Sequence, residues 1–173
     1  NLEDIEKYNS TNEKLERKLK ELEGKWGLDP IPNEPIFTPD GIEYKQGGLL
    51  YKFNPIVLYG YTRWGDLFNT RQKLLLITFI EKIRNAHELM INQQYDKELA
   101  KAISAYLALG LDRIADYSST LCILNSTGGR GVVHTFGRHA LQMNWDYLEG
   151  YPFNPEAAGW QIACEKNIEW IKH

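Results

Sequence analysis

Chemistry-bearing residues are scarce in this chain. It holds only two cysteines, Cys122 and Cys164, too few and too far apart for a disulfide framework or a CxxC redox pair. Free thiols in a reducing cytoplasm are the expectation. His134 and His139 do not fall on one helical face, and no H-E-x-x-H or Cys/His cluster has metal spacing. No glycine loop of the GxGxxG or GxxxxGK[ST] type cradles a phosphate, and no GxSxG elbow presents a nucleophile. No apolar run is long enough to span a bilayer, so no membrane partner is expected. Charge of one sign is not in excess either. The net charge of -3 excludes a polycation that binds nucleic acid with its whole surface.

What is present is helical periodicity. With 173 residues the chain suffices for one domain with a real core. It starts at Asn1 without Met, inside a helical pattern, and reads as a fragment excised from a longer protein. Ile5, Tyr8, Asn12, Leu15, Leu19, Leu22 and Trp26 follow a heptad seam up to Gly27. Lys18 falls at a g position. Residues 1–27 are therefore a helical arm, able to self-associate or to pack on its own protein. Residues 28–173 are expected to form a single helical domain. Within it, Leu28 to Asp40 carries Pro30, Pro32, Pro35 and Pro39 and reads as a stiff linker. Gly41 to Gly65 is irregular, with strand-like runs at Leu49–Phe53 and Ile56–Tyr61 and a hairpin turn at Gly47-Gly48. A helix capped by Asn69 or Thr70 runs to Asn92–Gln94, with Leu76, Phe79, Ile80, Ile83, His87 and Met90 on its apolar face. The next, from Tyr95, is apolar all round between Ala102 and Leu111 and is expected to be buried. A short connection makes the two antiparallel. Further on, a loop at Asn125–Gly131, an extended Val132–Phe136 and a short helix at Ala140–Leu148 are expected. A last helix starts at Asn154-Pro155-Glu156 and buries Trp160, Ala163, Cys164, Ile168 and Ile171. The fold class is mainly α, with at most a small β element.

Two features carry functional weight. The central helix ends in Asp112, Arg113 and Asp116. Carboxylates at i and i+4 repel each other and oppose the helix dipole near its C-terminus. A structural ion network with Arg113, Arg71 or Arg138 is the expected compensation. A metal site or an acid/base pair is the lesser alternative. Two stretches also lack acid, Tyr44–Gly65 and Tyr117–Trp145. The first interleaves Lys52 and Arg63 with Tyr51, Phe53, Tyr59, Tyr61 and Trp64. The second carries Arg130, His134 and Arg138 among glycines. Cations beside aromatics suit phosphate contact and base stacking, although aromatics also fill cores.

Trp64–Gln72 (WGDLFNTRQ), Tyr106–Cys122 (YLALGLDRIADYSSTLC) and Phe136–Asp146 (FGRHALQMNWD), followed by Tyr151-Pro152-Phe153, together resemble an internal region of the large adenine-specific DNA methylases that carry a zinc-ribbon insertion. Those enzymes occur in prokaryotic restriction-modification and phage-defence settings. The resemblance runs from about Asp29 to the C-terminus. It implies a parent protein that is an S-adenosylmethionine-dependent N6-adenine methyltransferase, with DNA and the remainder of the methylase chain as partners. The family's F-x-G cofactor turn and Asp-Pro-Pro-Tyr signature are absent from this chain. The resemblance therefore implies a non-catalytic helical insertion with no cofactor of its own, assisting DNA binding or target recognition. Arg130, Arg138, His134, Lys52 and Arg63 are the candidate contacts. The alternative is an interaction module that assembles subunits of a defence complex without touching DNA.

Overall fold

A computed structural model describes residues 2–36, 55–125, 131–137, 141–155 and 159–172. It is mainly helical. Helix α1 spans Leu2–Trp26, α2 Thr70–Asn92, α3 Lys97–Asp116 and α4 Trp160–Ile171. Strands β1 (Ile123–Leu124) and β2 (Val132–Val133) form an antiparallel pair, with Ile123 opposite Val133. The strand-like run at Leu49–Phe53 and the turn at Gly47-Gly48 lie outside the described residues. At Ile56–Tyr61 the backbone departs from an extended strand and coils into a 3-10 turn over Pro55–Tyr59. No described helix is long and apolar enough to cross a membrane.

The heptad seam is used within the chain. Leu15 and Leu22 are buried against Ile77 of α2, with Leu19, Trp26, Ile31 and Leu74 packed around them. Helices α1 and α2 run parallel in one register. Lys18 Nζ lies 2.6 Å from Glu81 Oε2, and one heptad on Lys25 Nζ lies 3.9 Å from Glu88 Oε2. The Arg84 guanidinium covers the Trp26 ring at 4.5 Å. Gly27 stops α1 at a φ of 68°, a left-handed conformation that glycine adopts without penalty, and its N–H caps the Glu23 carbonyl. Ile5 and Tyr8, at the other end of the seam, remain 57% and 61% exposed.

Asn69 caps α2 as its sequence predicts, accepting from the Gln72 N–H while Gln72 returns the bond to the Asn69 N–H. Helix α3 runs back antiparallel to α2, and His87 Nδ1 meets Ser104 Oγ at 3.1 Å. Helix α4 packs against α3, where Gly110 faces Trp160 and Cys164 and Asn167 Nδ2 donates to the Tyr106 carbonyl, and Trp160 also reaches Phe79 of α2 at 4.9 Å.

Three expectations need correction. Helix α3 is not buried all round, because α2 and α4 cover only two of its sides. Ala100, Gly110, Leu111 and Ile114 are buried, while Leu99, Ile103, Tyr106 and Leu109 face outward. Residues 141–150 form no helix. The last helix begins at Trp160 under a Gly159 cap rather than at Asn154, and it leaves Ile168 and Ile171 exposed.

A second cluster, Ile36, Ile56, Leu67, Leu121 and Leu141, lies beneath the irregular segments, with Trp64, Phe68 and Met143 against it. The proline-rich stretch joins the two clusters, since Ile31 belongs to the first and Ile36 to the second. Its backbone bonds run to the segment before α2: Ile36 N–H to the Thr62 carbonyl at 3.0 Å and Trp64 N–H to the Glu34 carbonyl at 3.1 Å.

The Lys18–Glu81 pair fixes how α1 sits. The hydrogen bond from Lys18 holds the Glu81 carboxyl below its ordinary value of 4.5. A depressed carboxyl contributes stability that is fully present above the unfolded value and is lost as the pH falls through the folded one. Lys18→Met leaves the buried Glu81 without its cation. The expected loss is about 2 kcal/mol at pH 7, below the range for fully buried pairs because the Lys18 side chain keeps 20% of its surface in solvent. Urea unfolding at pH 7 and at pH 4 checks this. The gap between variant and parent should narrow at the lower pH.

Candidate nucleic-acid interface

The end of α3 resolves the clash that its carboxylates pose. Asp116 Oδ1 accepts the Phe136 N–H at 2.9 Å, and Asp116 Oδ2 lies 3.0 Å from His134 Nδ1. Its main-chain carbonyl accepts the Thr135 N–H at 2.8 Å, the Thr135 hydroxyl at 2.7 Å and the Cys122 thiol at 3.4 Å. The Tyr117 ring lies 5.6 Å from the His134 imidazole, and the Arg113 guanidinium covers Tyr117 at 5.3 Å. His134 in turn lies against Gly137, where a Cβ would approach its ring to 2.8 Å, so a larger residue there would displace the imidazole. Asp116 is thus compensated by the β2 segment rather than by an arginine of α2.

Arg71 is engaged elsewhere. Its Nε and Nη2 donate to Glu149, at 3.2 and 2.8 Å to Oε2 and 2.8 Å to Oε1. Asn69 Nδ2 and Gln72 Nε2 also donate to Glu149 Oε1, at 2.7 and 2.9 Å. A carboxylate at the positive end of α2, held by three side chains, is favourable on charge and on hydrogen bonding together. Glu149 was not singled out in the sequence. Its partners lie far away in the chain, and no local pattern marks it.

The remaining expected residues are placed as follows. Arg63 Nη1 donates to the Asn33 carbonyl at 2.7 Å and the residue is exposed. Arg113 stays beside its own helix end over Tyr117. Lys52, Arg130 and Arg138 lie outside the described residues. Asp112 is exposed at the rim of an apolar groove of about 250 Å³ lined by Pro32, Phe68, Leu76, Ile80 and Leu111. Among the described residues it has no hydrogen bond or ion pair, and burial pushes its carboxyl above the ordinary 3.8.

Around Glu149 the surface is aromatic. Trp145 is 79% exposed, with Tyr59 edge-on at 5.7 Å. The Tyr147 hydroxyl accepts from Asn69 Nδ2 at 2.9 Å. Tyr151 and Phe153, 65% and 66% exposed, meet edge-to-face at 5.6 Å. These rings lie along one irregular stretch that the hydrogen bonds of Leu148 to Cys122 and of Gly150 to Tyr117 pin to the residues following α3. The arrangement offers flat apolar faces with an arginine among them. Among the described residues no group of three or more His, Cys, Asp or Glu side chains is placed to hold a metal. Compared with known proteins, the chain matches no family model, no curated protein sequence and no solved structure.

Asp112 gives the C-terminal end of α3 a pH signature. A carboxyl raised on folding costs stability above its folded pKa, and the cost is relieved as the pH falls towards the unfolded value. Asp112→Asn removes that cost and the adverse dipole interaction at the helix C-terminus. The variant should melt higher than the parent at pH 7, with the difference vanishing near pH 3.8. Calorimetric scans across that range check it, and a lower melting temperature at pH 7 contradicts it.

Proposed function

We propose that this chain is a non-catalytic helical domain of an S-adenosylmethionine-dependent N6-adenine DNA methyltransferase, and that it assists DNA binding or target recognition. The three sequence blocks and their order support the family. The observation that supports a nucleic-acid role is the exposed row of rings, Trp145, Tyr147, Tyr151 and Phe153, running past Arg71. Large rings left in solvent are costly unless a partner covers them, and every nucleobase has a flat face to offer. The acid-free stretch with Arg130 and Arg138 supplies cations for phosphate oxygens in the same reading. The cofactor and the catalytic signature belong to the parent enzyme, and the cytoplasm is its setting.

One observation favours the second reading, an interaction module of a restriction-modification or phage-defence complex. Leu99, Ile103, Tyr106 and Leu109 form an uncovered apolar face on α3, of a kind that protein partners cover.

Fluorescence anisotropy of labelled DNA at several salt concentrations separates the two. The DNA reading predicts binding at low salt, with a log–log salt slope that becomes shallower by about one when Arg130 is replaced by Ala. Absence of binding at low salt, with self-association or capture of the rest of the methylase through the α3 face, supports the assembly reading instead.

A further inference from the structure

We infer that the cavity between the first turns of α2 and the Tyr151–Phe153 strand is a seat for one unpaired nucleobase of a single-stranded or locally opened DNA. This inference rests on the DNA reading above and adds to it a site and a ligand class.

The cavity measures about 310 Å³, at the small end of ligand pockets and suited to a single planar heterocycle. Its floor is apolar, made by Leu75 and the buried Pro152. Tyr151 and Phe153 line it, both exposed and in edge-to-face contact, so both rings offer solvent-accessible aromatic surface. Phe153 is braced from behind by Phe79, at 6.2 Å, and Phe79 by Trp160, at 4.9 Å. Such a wall keeps its geometry when a base stacks on it.

The rim supplies one oriented polar group. Glu149 engages Arg71 through Nε and Nη2. Among the described residues Nη1 makes no hydrogen bond. The Arg71 side chain is 70% exposed while two of its nitrogens are held by Glu149, which lowers the entropy cost of ordering it on a ligand. A pinned guanidinium offers both a donor to a ring nitrogen or carbonyl and a flat face for stacking. The neighbouring Glu149 carboxylate disfavours a phosphate in the same place, since like charges repel. Apolar faces, an edge donor and an adjacent anion fit a neutral base better than they fit a phosphorylated group or an aliphatic chain.

The test uses the full chain and a single-stranded oligonucleotide with 2-aminopurine at its centre, compared with the same strand carrying an abasic site there. The parent chain should quench the 2-aminopurine on binding and bind the abasic strand about tenfold more weakly. Tyr151→Ala and Phe153→Ala should each abolish the quenching and weaken binding of the intact strand by about tenfold, with no further loss on the abasic strand. Circular dichroism checks folding, and Leu89→Ala, exposed near the far end of α2 and outside the cavity, should retain the quenching. Binding and quenching that survive both the Tyr151 and Phe153 substitutions overturn the pocket and leave the DNA reading standing. Failure of the parent chain to bind any strand, or duplex, at low salt overturns both.

Discussion

The structure depends on seven consecutive residues, Asp116 to Cys122, where the central helix runs out. The segments around Leu67, Thr135 and residues 144–150 are hydrogen-bonded to this stretch. The carbonyl of Asp116 takes two bonds from Thr135, that of Tyr117 takes the Gly150 N–H, and that of Cys122 takes the Leu148 N–H. Leu121 receives Asn144 Nδ2 at 2.6 Å, and Thr120 gives both its N–H and its hydroxyl to the Leu67 carbonyl. The side chains between them complete the set, with Ser119 Oγ 2.7 Å from Thr135 Oγ1 and fully buried. Buried polar groups are costly unless paired. Here the helix C-terminus, which would otherwise leave carbonyls open, becomes the docking point for chain with no regular structure of its own.

That constraint accounts for the shape of the exposed aromatic surface. The strand from Trp145 to Phe153 is held at Leu148 and Gly150 by the α3 terminus and at Glu149 by the first turn of α2. The backbone between its rings is fixed by these bonds. A loop anchored at two points can present aromatic side chains to solvent without collapsing onto its own core. Nucleic-acid readers need this of a stacking platform.

Some of this was legible in the sequence. The Asn69 cap and the limits of α2 follow from local rules, since capping involves residues three apart. The second half of the heptad seam packs as its spacing implies, although its partner is α2 of the same chain along that half. Local rules failed where tertiary bonds decide. Residues 141–148 have a composition compatible with a helix, yet their polar groups are satisfied by Leu121 and Cys122. Ala102 to Leu111 is apolar enough for a buried helix, yet only α2 and α4 lie against it. Asp116 and His134 were each marked as informative, for different reasons. Their contact required knowing that β2 returns to the helix end. Glu149 carried no mark at all, because its ligands are the first turn of a helix far back in the chain.

The central claim is that one stretch, residues 116–122, holds two distant segments, residues 131–137 and 141–150, as a single cooperative unit. Native-state hydrogen exchange of the Thr135, Leu148 and Gly150 amides in the parent and in Thr135→Val tests it most directly. Valine keeps the shape of the side chain but removes the hydroxyl bonds to Ser119 and Asp116, at a cost of about 1–3 kcal/mol. The account predicts that all three amides lose protection together and by the same factor, as members of one opening unit do. Loss confined to Thr135, with Leu148 and Gly150 exchanging as in the parent, would contradict it.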